Sequence, residues 1–165
     1  MPEIVQEILV DAPLKILWNL MVQHLKYPEE EAERGPEWEK LVIKDIRGKT
    51  LTSKRTGLGV RTKWFYKFHF YSFEWDDEVT EWKEMEKITW KSLSTWDMVD
   101  SFTIKPDNTH SRLTYEMRYT PPNGIFGRVW YRLFVHKNLK THLHYVLLQM
   151  KRNAEAIAKF SRRNA

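Results

Sequence analysis

The chain has 165 residues, a formal net charge of +5, 14% aromatic residues with Trp occurring 8 times, and no Cys. That length suits a single domain over 1–165 with a sizeable core, and the missing Cys excludes disulfides, thiol nucleophiles and Cys-based metal sites. No N-terminal apolar run resembles a signal peptide and no segment approaches a membrane-spanning length, so a cytoplasmic protein is expected.

In chain order, Glu3 to Val10 reads as a first strand. Asp11 as a helix cap and Pro13 in the first turn introduce a short amphipathic helix on Leu14, Leu17, Trp18 and Met21. Pro28 to Pro36, with Glu29-Glu30-Glu31, predicts a second short helix or a loop. Trp38 to Arg47 predicts a strand and Gly48-Lys49 a turn. After Gly57-Leu58-Gly59, the residues Val60, Thr62, Trp64, Tyr66, Phe68 and Phe70 alternate with Arg61, Lys63, Phe65, Lys67, His69 and Tyr71, and the first half of this run has the period of a strand with a basic outer face. Both faces turn aromatic over Phe68 to Phe73, where a hairpin must reverse the chain without a Gly, Pro or Asn to mark it. Asp76 to Trp82 reads as an acidic strand, and Lys83-Glu84-Met85-Glu86 as a turn. Ile88, Trp90 and Ser92 alternate against Thr89 and Lys91. Trp96, Met98, Asp100, Phe102 and Ile104 form the next run, closed by Pro106-Asp107-Asn108. Leu113, Tyr115, Met117 and Tyr119 then alternate with polar neighbours as a half-buried strand.

From Gly127 to about Arg163 no Pro and no further Gly occurs. Val129, Leu133, His136, Lys140, Leu143, Leu147, Met150, Ala154 and Ile157 recur at alternating four- and three-residue steps, one face of a long helix. The ordinary reading of that stripe is a helix packed on the sheet. Two polar residues, His136 and Lys140, interrupt it, so either they reach solvent or they line a ligand-filled space. Residues 123–165 carry nine Lys or Arg against one acid, Glu155, a net of +8 that leaves −3 for the rest of the chain. The basicity therefore belongs to the outer face of this helix. A solvated face is the ordinary reading, and an anionic lipid or nucleic-acid surface the minor one.

A strand, short helices, about six consecutive strands and one long helix imply an antiparallel meander covered by that helix. In this order the chain resembles the START/Bet v 1-like (SRPBCC) superfamily, in particular its polyketide cyclase/dehydrase group. The resemblance rests on Asp11-Ala12-Pro13-Leu14-Lys15-Ile16-Leu17-Trp18, Trp38, Gly57-Leu58-Gly59, Glu78-Val79-Thr80-Glu81-Trp82, Lys87-Ile88-Thr89-Trp90, Phe102-Thr103-Ile104-Lys105-Pro106 and Ser111-Arg112-Leu113-Thr114-Tyr115. It implies an α+β helix-grip fold, in which a curved antiparallel sheet of about 6–7 strands wraps a long C-terminal helix and two short helices follow strand 1. It also implies a deep, largely apolar cavity between sheet and helix. Members bind lipids or other hydrophobic small molecules, and some catalyse reactions on them. No catalytic motif of an enzymatic member is present.

The expected cavity residues are Trp64, Tyr66, Trp90, Trp96, Met98, Phe102, Tyr115, Met117 and Tyr119 from the sheet, with Leu133, His136 and Lys140 from the helix. Inward His136 and Lys140 would suit a ligand carboxylate or phenolate. His136 meeting Asp100 or Glu81 would make an acid–base pair. No histidine pair has the spacing of a zinc helix, Gly57-Leu58-Gly59 precedes a strand and not a helix, and no nucleophile elbow occurs, so no metal or cofactor is expected. Two functions follow: a carrier or sensor of a hydrophobic small molecule, and alternatively a cyclase/dehydratase-type enzyme in the same cavity. A membrane-surface role through the aromatic, basic stretch Phe65 to Tyr71 is a weaker third, and nucleic-acid binding has no recognised motif behind it.

Overall fold

The structure, a computed structural model, describes residues 3–32, 43–68, 72–94, 97–107, 110–120 and 136–164. Seven strands form one antiparallel sheet: β1 (Glu3–Val10), β2 (Ile43–Thr50), β3 (Arg61–Phe68), β4 (Ser72–Lys83), β5 (Lys87–Ser92), β6 (Met98–Asp107) and β7 (His110–Tyr119). Their spatial order is β1-β7-β6-β5-β4-β3-β2. Strands β2 to β7 are a meander, and β1 closes against β7, so the two strands nearest in sequence at the start occupy opposite edges. Between them run the helix α1 (Leu14–Lys26) and a 3-10 turn (Pro28–Ala32). The long helix α2 (His136–Arg163) follows β7. The sheet curls as a half-barrel with this helix along it, the expected helix-grip architecture.

The alternation of apolar residues fixes which sheet face is inside. On β7, Leu113, Tyr115, Met117 and Tyr119 are buried while Arg112, Thr114, Glu116 and Arg118 are not. Outward residues pair across strands instead: Arg61 with Glu78 at 2.7 Å and Arg118 with Glu3 at 2.8 Å. From α1, Leu17, Trp18 and Met21 are buried in the same core. Asp11 does not cap α1. Its backbone N–H donates to Glu155 at 3.0 Å and its carboxylate accepts from Arg162 at 2.9 Å, so it ties the end of β1 to the last turns of α2.

Gly48 and Lys49 lie inside β2, opposite Trp64 and Lys63, and are not a turn. A Cβ on Gly48 would collide with the Pro28 Cβ and stand 2.8 Å from the Trp64 ring, so glycine is there to let the 3-10 turn lie close on the strand. The chain reverses later, at Gly57 (φ +93°) and Gly59 (φ +77°), and again at Met85 (φ 62°). β4 begins at Ser72, earlier than its acidic stretch suggests. Lys67 pairs with Ser72, and residues 69–71, within the stretch where the sequence requires a hairpin, lie outside the described residues.

On α2 the buried face is Leu139, His142, Leu143, Val146, Leu147, Met150, Ala154 and Ala158. The expected stripe is right from Leu143 to Ala154 and rotated at both ends. Lys140 is exposed and Ile157 is 44% exposed, while Leu139 and His142 take the inward places. Val129 and Leu133 fall outside the described residues. The basic residues Lys137, Arg152, Lys159, Arg162 and Arg163 are exposed, as a solvated outer face requires. Among the described residues no helix is long and apolar enough to cross a membrane.

Candidate functional site

Beneath α2 the inward residues of five strands enclose a cavity of about 60 Å³. Its walls are Trp64 and Tyr66 of β3, Trp75, Asp77 and Val79 of β4, Trp90 of β5, Asp100 and Phe102 of β6, and Tyr115 and Met117 of β7. Leu139, His142, Leu143 and Val146 of α2 form the roof, and His24 and Leu25 of α1 with Arg55, Thr56 and Gly57 of the loop before β3 complete the lining. The deep cavity that the resemblance implies is largely occupied by rings. Tyr66 stacks on Trp75 with centroids 4.3 Å apart, Phe102 meets Tyr115 edge-on at 4.7 Å, and Trp90 lies 5.4 Å from Phe102. What remains holds a few waters, well below the roughly 300 Å³ of a small-molecule site. A wider, more polar groove of about 270 Å³ lies between α1 and α2, edged by Gln23, Tyr27, Gln149 and Asn153. His24 and Val146 border both spaces and so separate them.

Two carboxyl groups stand in this aromatic wall. Asp77 is 5% exposed and accepts a hydrogen bond from the Trp64 indole N–H at 2.9 Å. Burial pushes its carboxyl up to about 7; the Trp64 and Trp75 indoles oppose that shift, and the charge of Asp76 adds to it. Asp100 is 3% exposed. Burial raises it well above the ordinary carboxylate range, the neighbouring charge of Asp77 adds to this, and the Tyr115 hydroxyl and Trp90 indole oppose it. The Asp100 Oδ1 atom has no hydrogen-bond partner among the described residues. Tyr115 is itself pushed up, first by burial and then by the charge of Asp100. The one cationic side chain on the lining among the described residues is Arg55, and its guanidinium is engaged elsewhere. It donates to the Lys26 carbonyl at 3.1 Å, pairs with Glu29 at 3.2 Å and lies 5.8 Å from the Tyr27 ring centre.

Of the residues singled out from sequence, Trp64, Tyr66, Trp90, Phe102, Tyr115 and Met117 line this cavity. Met98 and Tyr119 are buried but stand off it, and Tyr119 shares a hydrogen bond of 2.5 Å with His136 Nδ1. Lys140 is exposed, and its backbone carbonyl accepts from Gln6 at 2.8 Å. Trp96 and Leu133 fall outside the described residues. Glu81 faces outward, where Lys87 and Lys83, at 2.8 and 3.0 Å, hold its carboxyl down at about 2. Sequence reasoning missed Trp75, Asp77 and His142. The signal for the first two was parity, since Trp75, Asp77 and Val79 share a strand face. Among the described residues no three metal-ligating side chains converge.

No family model matches the chain. No curated protein matches it either. Solved structures do. The protein TTHA0849 from Thermus thermophilus superposes with a TM-score of 0.69 at 17% identity, covering 95% of this chain and 99% of that one. The ginseng major latex-like protein 151 from Panax ginseng gives 0.61 at 14% identity, over 95% and 97%. The di-domain ARO/CYC BexL of the BE-7585A biosynthetic pathway gives 0.60 at 16% identity, over 94% of this chain and 47% of that one. Likeness at this level of identity shows the fold alone, a START/Bet v 1-like helix grip.

Proposed function

We propose that this protein binds a compact hydrophobic small molecule between the sheet and α2, as a cytoplasmic carrier or sensor. The observation that carries this reading is the aromatic-walled cavity itself, with a buried polar pair in its wall. Its small volume sets a condition on binding. The ligand must displace rings or join the cavity to the groove beyond His24 and Val146, and the two spaces together reach the lower end of the ligand-site range, about 300 Å³. The apparent affinity is then reduced by the fraction of molecules that are open. Native mass spectrometry of the protein purified from its own source, followed by denaturing extraction, tests this. A stoichiometric apolar small molecule is expected. A clean unliganded mass, together with no thermal shift from small aromatic compounds, would sink it.

A second reading, an enzyme of the cyclase/dehydratase type, draws on one further observation. Asp77, Asp100, Tyr115 and His142 all line the same cavity, and the two carboxyls hold protons at a pH where exposed ones do not. On that reading a protonated Asp100 donates to a substrate oxygen while ionised Asp77 takes a proton. Asp100→Asn then abolishes turnover but not binding. Unchanged turnover in that variant removes the carboxyl pair from the mechanism.

A further inference from the structure

The sign of the charge in the cavity is the opposite of what the stripe on α2 suggests from sequence. A ligand carboxylate or phenolate, for which His136 and Lys140 are the natural partners, would here meet two acids. Lys140 is exposed, His136 is hydrogen-bonded to Tyr119, and Arg55 is engaged by Glu29 and the end of α1. What the lining offers is two carboxyl groups, one of them with an oxygen lacking any partner among the described residues, set among indole and phenol rings. Carboxylates answer a positive charge by Coulomb attraction and by accepting N–H bonds, and ring faces answer it through their quadrupoles. The two effects reinforce each other only for a cation.

We propose that Asp77 and Asp100 are the recognition point for an organic cation, a compact alkyl- or arylammonium head held by the two carboxyl groups among the aromatic rings that line the cavity. The inference rests on the ligand-binding reading above and names the class of ligand. The cavity as it stands suits the head group, and the apolar body extends toward the groove past His24 and Val146. The remaining titratable groups that line the same space are Tyr66 from β3, Tyr115 from β7, His142 from α2, His24 from α1 and Arg55 from the loop before β3; Asp76 adds its charge from the outer side of β4. None of these supplies an anion of its own to the cavity; His24 and His142 repel a cation only when protonated and so shift binding in the same direction, and the share due to the carboxyls is the share lost when Asp77 is replaced. A cation favours their ionised form. Its binding therefore releases protons and tightens as pH rises from about 6 to about 8.5. A neutral ligand that accepts a hydrogen bond from a protonated carboxyl shows the reverse slope.

The test is calorimetric titration of the protein with benzylammonium, benzyl alcohol and benzoate at about pH 6 and about pH 8.5, either side of the Asp77 carboxyl at about 7. Benzylammonium is expected to bind about tenfold or more tightly than benzyl alcohol at the higher pH. Its affinity should fall about tenfold at the lower pH if one proton is exchanged over about one unit. In Asp77→Asn that preference and the carboxyl share of that slope are lost, while a cooperative thermal transition shows the variant folded; Asp100→Asn, read by loss of the preference, replaces it if it is not. Equal or tighter binding of benzyl alcohol or benzoate, or a slope of the opposite sign, overturns the cation and leaves the cavity reading standing. Binding of none of the three overturns both.

Discussion

Burying Asp77 costs stability, and the cost depends on pH in a definite direction. Its folded-state carboxyl titrates at about 7, against 3.8 for the ordinary group. The folded protein therefore holds a proton that the unfolded chain has lost between these values, and stability falls as pH rises from about 4 to about 7. A displacement of that size corresponds to roughly 4 kcal/mol. Asp77→Asn keeps an oxygen for the Trp64 indole and removes the ionisation. The variant is expected to match the parent near about pH 4 and to exceed it by about 1–3 kcal/mol at about pH 8, read from urea midpoints at the two pH values. Equal midpoints at the higher pH would mean that the carboxyl is solvated when charged. Glu81 acts in the other direction: its lysine partners lower it, and the stability they give is lost as pH falls toward about 2. At this scale the sequence was legible by parity and misleading by composition. Asp77 stands inside Asp76-Asp77-Glu78, which looks like a uniformly solvated acidic run, yet only Asp77 shares the face of Trp75 and Val79.

For α2 the existence of the helix and its end at Arg163 were plain, its expected start near Gly127 lies outside the described residues, and its rotation was not legible. A strict four-three spacing repeats about every 3.5 residues, whereas a helix turns about every 3.6, so a stripe chosen to run straight drifts off the buried face. His142 compounds this, since a buried polar residue reads as an outward one. Leu147, 1% exposed, and Ile157, 44% exposed, both belong to the expected stripe and are separated by the observed one. Leu147→Ala should cost about 2–5 kcal/mol and Ile157→Ala no more than about 0.5 kcal/mol, measured by chemical denaturation. Comparable losses at the two sites would restore the straight stripe. In β2 the misleading residue is Gly48, which reads as a turn because a close backbone approach and a tight turn ask for the same residue. Gly48→Ala forces the Pro28 turn off the strand and should cost about 1–3 kcal/mol. A neutral effect would mean that the turn at Pro28 yields freely.

The whole molecule was legible in the order of its elements, because consecutive strands joined by short turns admit few topologies. The volume under the helix was not, because it is the small difference between a large enclosed space and the rings that fill it. Two residues of α2 now separate capacity from access. Leu143 is 3% exposed and lines the cavity alone, whereas Val146 borders both the cavity and the groove. Leu143→Ala adds its void to the 60 Å³ already present, and an apolar cavity of about 150 Å³ is enough to hold benzene. That variant should lose about 2–5 kcal/mol and recover part of it with benzyl-sized ligands, whose equilibrium affinity rises because no ring has to move. Val146→Ala removes less from the core and opens the partition. Its signature is kinetic: association and dissociation of benzylammonium both accelerate, and the equilibrium constant changes little. Stopped-flow Trp fluorescence resolves the two, since several indoles line the cavity. If instead Leu143→Ala accelerates exchange and Val146→Ala does not, the ligand does not pass between α1 and α2, and the groove edged by Gln23 and Asn153 is not its route.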